Sequence, residues 1–264
     1  MLVPIPELAG ARRLLCVQPH YDDNDIGAGG TIASLIDAGA EVAYLTVTND
    51  LLGIRDDLSE TDARAQLRRE QAQAGREIGV AHQIWLDLAD GGEYDYFALR
   101  RALVREIRRF RPDFLLTCDP WAPYEAHLDH TRVGRATAEA ALFHRVPRFR
   151  TTADVDGRYI PYDLRGVAFY FSAAPNTIFE IDAARARKHK ALDAYVSQFS
   201  EIENQLLHGA LEIKEREWAQ GHDFSFGEAL KVLSPVHLHV SPDAEEVSSN
   251  LHRVVASCRP SRAS

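Results

Sequence analysis

The chain reads as an α/β protein, a Rossmann-like three-layer sandwich with a mostly parallel sheet and a C-terminal α+β extension. Two observations predict this. Over residues 10–145, short apolar runs alternate with longer stretches of helical periodicity, the mark of successive βαβ units. Over residues 146–255 that alternation gives way to shorter strand and helix signals. No Gly/Ser linker or low-complexity run separates the two parts, so residues 1–264 are read as one domain.

The elements follow in order. Residues 13–18 (Arg-Leu-Leu-Cys-Val-Gln) form a continuous apolar run suited to a strand buried on both faces. Gly27, Gly29 and Gly30 suggest a turn, and Thr31 to Ala38 a helix closed by Gly39. Residues 41–48 are rich in β-formers and precede a loop with Asn49, Asp50 and Gly53. Helix formers fill 61–78, ending at Gly79. A strand is expected over 83–88, a helix over 96–110 stopped by Pro112, a strand over 114–118 and a helix over 130–143. In the extension, 167–171 and 177–181 read as strands separated by Pro175-Asn176, 183–198 and 201–219 as helices, and 235–240 as a short alternating strand. The tail from Ser257 to Ser264 is expected to fray.

Composition narrows the function. The chain has 264 residues, 45% of them hydrophobic and 26% charged, and a net charge of −9. That charge argues against a nucleic-acid backbone or an anionic membrane surface as partner, since both call for a basic face. No stretch approaches the ~18 apolar residues of a membrane span. The N-terminal residues lack the charged and apolar regions of a secretory signal. The three cysteines Cys16, Cys118 and Cys258 form no Cys-x-x-Cys pair and no even framework. A reducing cytoplasm is the expected compartment.

Two clusters carry the chemistry. His20-Tyr21-Asp22-Asp23 follows the first strand, and His127-Leu128-Asp129-His130 follows the fourth. Open α/β sheets bind ligands beyond the carboxyl ends of their strands at a topological switch point, and the common order 3-2-1-4-5 makes strands one and four neighbours. His20 and Asp23, three residues apart on a turn, can face one point, with His130 as a third ligand. Three ligands leave a coordination position for water, as in catalytic Zn²⁺ sites, though another divalent metal fits the same donors. Asp22 is the candidate general base. His127 is the candidate acid and oxyanion stabiliser, with Asp129 accepting from its ring, fixing its tautomer and favouring its charged form.

Blander readings stand beside these. Asp22, Asp23 and Asp25 are also good caps for a following helix, and His-x-Asp-His is also a solvated helix start. Gly27-Ala28-Gly29-Gly30 lacks the G-x-G-x-x-G spacing, and the adjacent acids would repel a pyrophosphate. The arginines at 100, 101, 105, 108, 109 and 111 read as a solvated helix face.

Pro19-His20-Tyr21-Asp22-Asp23-Asn24 and His127-Leu128-Asp129-His130 resemble the two motifs of the PIG-L/LmbE family of zinc-dependent N-deacetylases. The likeness extends through Ile26 to Ile32, Gly79-Val80 and Asp119 to Glu125, and is greatest to the diacetylchitobiose deacetylase branch. It implies hydrolysis of the acetamide of an N-acetylglucosamine-type sugar, N-acetylglucosamine or diacetylchitobiose. It implies zinc on His20, Asp23 and His130, Asp22 as base and His127 as acid. It further implies Asp90 as a sugar-binding carboxylate, and His239 as a residue reaching a neighbouring subunit's site in a homo-oligomer, a trimer or hexamer. Tyr21 and Asn24 depart from the family's proline and acid. Its R-x-x-E arginine falls on Leu67, with Arg68 the nearest substitute for a substrate contact. Another N-acetylated conjugate, an antibiotic or thiol precursor, is an alternative substrate. A non-catalytic Rossmann-like nucleotide- or sugar-binding protein is an alternative of another class.

Overall fold

A computed structural model describes residues 2–54, 57–239, 241–249 and 253–258. The first half alternates strictly: β1 (Arg13–Gln18), α1 (Asp23–Asp37), β2 (Glu41–Thr48), α2 (Glu60–Ile78), β3 (His82–Leu88), α3 (Tyr96–Phe110), β4 (Phe114–Cys118) and α4 (Leu128–Phe143). The extension adds α5 (Ala153–Asp156), β5 (Gly166–Tyr170), β6 (Thr177–Glu180), α6 (Arg185–Leu192), α7 (Glu201–Ala219), β7 (Gly227–Leu233), α8 (Ala244–Ser248) and β8 (Val254–Ala256).

The described strands form one sheet in the order β3-β2-β1-β4-β5-β7-β6-β8. The first five are parallel, and β7 runs antiparallel to both β5 and β6. β1 shows why the sheet has two covered faces. Leu14 and Cys16 enter the core shared with α1, α2 and α6, whereas Leu15 and Val17 enter the core shared with α3 and α4. All four are fully buried, so period-two alternation feeds two apolar layers and leaves no polar face.

Local chemistry sets the helix ends. The Ser59 side chain accepts from the Asp62 N–H, and Gly79 closes α2 at φ 100°. Asp95 caps α3 through the Ala98 N–H. Ser200 and Glu203 form a reciprocal capping box on α7.

Four expectations are corrected. α1 starts at Asp23 and runs through Gly27, Gly29 and Gly30, where a turn was expected. Those glycines are packing positions: a Cβ on Gly30 would lie 2.8 Å from Ile181, and one on Gly27 2.4 Å from the Tyr170 ring. The helix expected over 183–198 ends at Leu192, whereas the strands expected at 167–171 and 177–181 stand as β5 and β6, with β7 between them in the sheet. Residues 235–239 form turns, Val240 lies outside the described residues, and the strand of that region is β7. Arg108 is no solvated residue. It is 5% exposed and donates to the carbonyls of His144, Val146 and Phe149 and to Asp156, tying α3 to the start of the extension. Of the tail, residues 259–264 lie outside the described residues.

One close approach positions the second cluster. A Cβ on Gly134 of α4 would stand 2.5 Å from the Cys118 carbonyl oxygen at the end of β4. Gly134→Ala is expected to lower unfolding free energy by about 1–3 kcal/mol through overpacking. Denaturant unfolding beside the wild type checks this, and an unchanged midpoint would contradict it.

Candidate active site

The loops after β1, β2, β3 and β4 open on one cleft of about 380 Å³. β1 is bonded to β2 on one side and to β4 on the other, so the direction of strand succession reverses between β1 and β4. That reversal brings residues a hundred positions apart to one point. His20, Asp22, Asp23, Asp90, His127 and His130 all line the cleft, with Ile26, Asp50, Leu52, Gly53, Gly91 and Gln198. Arg68 does not line it: its guanidinium pairs with Asp87 and lies over the Trp85 ring. His239 is exposed and outside the cleft of its own chain. Leu67, at the position of the family arginine, is fully buried in the core. A larger cleft of about 470 Å³, lined by Trp121, Phe169, Lys231 and Leu233 among others, contains none of these clusters.

Helix termini explain the placement of the carboxylates. Asp22 occupies the N-cap position of α1 yet makes no side-chain capping bond, so the capping explanation does not account for it. It is 8% exposed. Asp23 sits in the first turn, where the helix dipole favours a negative charge. The Tyr21-for-proline departure does not loosen this turn. The Tyr21 carbonyl accepts from Gln18 Nε2 (3.2 Å), Gln71 Nε2 (3.1 Å) and the Tyr195 hydroxyl (2.9 Å). Asn24 is buried and bonded to Gln18 and the Cys16 carbonyl, a structural role inside the turn.

His20, Asp23 and His130 each offer a donor atom, all within 4.8 Å of one another. His20 Nδ1 is 3.3 Å from Asp23 Oδ2, and His130 Nε2 is 3.3 Å from Asp23 Oδ1. Bonds of about 2.1 Å to a tetrahedral ion would set donors about 3.4 Å apart, so the set fits a zinc-sized divalent cation. A second triad, His20, His127 and Asp129, shares the first histidine. Its donors are committed elsewhere. Asp129 accepts from the Gly91 N–H (2.7 Å) and the Gly92 N–H (2.9 Å), and His127 Nδ1 accepts from the Asp129 N–H (3.3 Å). Gly91 and Gly92 adopt φ of 77° and 78°, the left-handed backbone that turns both N–H groups toward Asp129.

The expected link from Asp129 to His127 therefore takes another form. The His127 ring nitrogen nearest Asp129 accepts a backbone N–H, while the Asp129 carboxylate lies 3.8 Å from that ring and 3.4 Å from His20 Nε2. Burial, then the neighbouring His20 and His130, hold the His127 pKa below its ordinary value, contrary to the expected charged form. Burial pulls His20 down, but Asp129 and Asp23 outweigh it and raise it to about 11. Burial likewise opposes, and Asp23 and Glu125 overcome, the rise of His130 to about 9. Burial raises Asp23, yet His130 and His20 hold its carboxyl far below the carboxylate range. Burial, then Asp23, lift Asp22 to about 7.

Several functional neighbours went unread in the sequence. Glu125 Oε2 lies 3.0 Å from His130 Nδ1, and Oε1 accepts the His127 N–H at 2.7 Å. Such a carboxylate orients a ligating imidazole from behind. The loop around Glu125 carried no periodic signal; the residue entered only as the end of the stretch Asp119 to Glu125 that resembles the family, with no role attached. Glu125→Gln is expected to weaken metal affinity about 10–100-fold, measured by chelator competition; unchanged affinity would remove this role. Asp50 and Gln198 were also missed, since Gln198 comes from the extension and nothing local marks it.

The chain is similar to known proteins over most of its length. The profile of the PIG-L family, described as GlcNAc-PI de-N-acetylase, matches residues 15–141. The diacetylchitobiose deacetylase of Thermococcus kodakarensis is 31% identical over 238 residues, covering 89% of this chain and 88% of that one. The 1D-myo-inositol 2-acetamido-2-deoxy-alpha-D-glucopyranoside deacetylase of Nakamurella multipartita is 30% identical, covering 88% and 92%. The solved N,N'-diacetylchitobiose deacetylase of Pyrococcus horikoshii, complexed with its inhibitor MPG, superposes with a TM-score of 0.83 at 31% identity, covering 91% and 90%.

Proposed function

This chain belongs to the PIG-L family, and from that premise we propose that it hydrolyses the acetamide of an N-acetylglucosamine-type sugar, N-acetylglucosamine or diacetylchitobiose, releasing acetate and a free amine. The observation that carries this reading is the donor set His20, Asp23 and His130 beside Asp22, a buried carboxylate at a helix N-cap that caps nothing.

His20, Asp23 and His130 are the residues that would hold the ion, with zinc the first choice among divalent metals. When bound, that ion supplies Lewis-acid polarisation and eases deprotonation of water. Asp22 takes the proton of the attacking water as its oxygen adds to the amide carbon. His127 accepts a backbone N–H at Nδ1, so its proton sits on Nε2. From there it donates a hydrogen bond to the developing oxyanion, while the proton that Asp22 took from water passes to the nitrogen as the C–N bond breaks, in place of the expected transfer from His127. Asp129, held by Gly91 and Gly92, fixes the loop that carries His127 and His20's inner edge. Asp90 is assigned to sugar hydroxyls. Arg68 could join it only by leaving Asp87.

A second substrate reading, another N-acetylated conjugate such as an antibiotic or thiol precursor, draws support from the Nakamurella multipartita relative and from Leu67, which leaves the cleft without the family arginine. The test is acetate release by the metal-loaded protein from N-acetylglucosamine, diacetylchitobiose and N-acetylglucosaminyl inositol. Silence across that panel, with nucleotide or sugar bound in the absence of metal, would replace the enzyme by a binding protein.

The chain is further proposed to act as one domain, supported by the single sheet that runs through core and extension. A cytoplasmic location is supported by three unpaired cysteines, and no described helix is long and apolar enough to cross a membrane. A homo-oligomer, a trimer or hexamer in which His239 serves a neighbour, is supported by the exposed stripe Ile202, Leu206 and Ile213 along α7. Light scattering that finds a monomer would withdraw it.

A further inference from the structure

We propose that Asp50, backed by Asp90, is a specificity-determining carboxylate that selects N-acetylated amino sugars bearing a second, unacetylated ammonium group. The inference rests on the deacetylase reading of the same cleft.

Asp22 and Asp23 already have work in the reaction. Asp50 and Asp90 add two further carboxylates on the β2–β3 side, across from α4, and no described lysine or arginine lines the cleft. A divalent ion balances two of these four carboxylates when all are ionised, and leaves the other two to find a cation in the ligand. The nearest family-like cation, Arg68, is spent on Asp87 outside.

Asp50 is built into place. It follows β2 at φ 54°, a backbone conformation costly for any residue but glycine and better tolerated by Asp and Asn than by most. Its side chain is 6% exposed. Its Oδ2 accepts from Gln198 Nε2 at 2.6 Å. Gln198 is itself fixed through its neighbour, because the Ser197 hydroxyl and N–H donate to Glu70 on α2. Asp90 Oδ2 accepts the Leu52 N–H at 2.8 Å, which ties the second carboxylate to the loop that follows Asp50.

The electrostatics point the same way. Burial, and then Asp22, Asp23 and Asp90, push the Asp50 carboxyl well above its usual range, with His20 opposing. An ammonium arriving beside these carboxylates favours their charged form. Sugar hydroxyls can bond to these oxygens, but they cannot compensate the charge, and an anionic sugar adds to the repulsion. The fitting class is a glycoside in which the N-acetylglucosamine-type ring neighbours a ring, or a position, with a free amine.

The test compares three substrates on the metal-loaded protein near neutral pH. They are chitobiose acetylated only on the non-reducing ring, N,N'-diacetylchitobiose, and N-acetylglucosamine 6-phosphate. The monoacetyl sugar is expected to exceed the diacetyl sugar at least about tenfold in kcat/KM, mainly through KM, as a partly desolvated charge pair allows. The phosphate sugar should be the poorest. Asp50→Asn keeps a residue that tolerates the left-handed backbone, and should bring the first ratio to within about threefold of unity. Calorimetry with fully deacetylated chitobiose against diacetylchitobiose gives a readout free of turnover. Equal wild-type preference, or a preference that Asp50→Asn leaves intact, overturns the proposal while deacetylation stands. No acetate from any sugar, with tighter Asp50-dependent binding of the diamine, sinks the deacetylase reading and keeps the selectivity.

Discussion

Asp22→Asn is expected to retain one metal ion per chain and to release acetate about 10²–10⁴-fold more slowly, the usual contribution of a positioned general base. The substitution is isosteric, so cleft volume and the start of α1 are preserved. The capping of α1 is also untouched, because the Asp22 side chain makes no capping bond. Asp23 keeps its own anchor, the His20 N–H at 2.8 Å, so the donor set persists. What disappears is the ability to accept a proton from water. Removing a buried negative charge next to Asp23 relieves repulsion, so the thermal midpoint should stay level or rise. Metal analysis and kcat on one preparation decide the matter. Metal lost along with activity would turn Asp22 into a ligand and leave the base unassigned.

Asp23→Ala should have the other large effect. Its two oxygens each face one imidazole, at 3.3 Å to His20 and 3.3 Å to His130, so the alanine variant loses the one carboxylate among the described residues that is common to both. Metal affinity should fall well beyond the ~10–100-fold typical of removing an outer-shell partner, and acetate release should fall to the level of chelator-treated wild type. Chelator titration followed by metal add-back distinguishes this outcome from unfolding: wild type should recover activity and Asp23→Ala should not. If the variant still binds one ion tightly, the alternative triad of His20, His127 and Asp129 becomes the site.

Much of the fold was legible. β1, β2, α3 and β4 fall on the residues their periodicity marks, and the five parallel strands take the expected order. These elements are buried on both faces or strongly amphipathic, so local pattern and tertiary environment agree. Where they disagree, the tertiary environment prevails. The glycines of α1 read locally as a turn, but their missing side chains make room for Tyr170 and Ile181. Arg108 reads as surface, but four carbonyl and carboxylate partners wait for it inside. β7 escaped notice because Glu228 and Lys231 interrupt its apolar run, and both are buried by partners: Glu228 meets Lys188, Thr31 and the Gly30 N–H, and Lys231 donates to the Ser249 carbonyl.

By itself, the sequence determined the reaction class. Two His/Asp clusters at two strand ends, in a chain whose strand–helix alternation implies a parallel sheet, specify which donor types meet and what they can do together. Those signals are local in the chain and survive without coordinates. Only the tertiary structure decided the environment of the cleft. It turned Arg68 outward to Asp87, buried Leu67, set Glu125 behind His130 and brought Gln198 from the extension against Asp50. The reason is physical. A ligand set needs the right atoms at short spacing on loops that the sheet aligns, whereas selectivity depends on net charge and solvation summed over elements far apart in sequence.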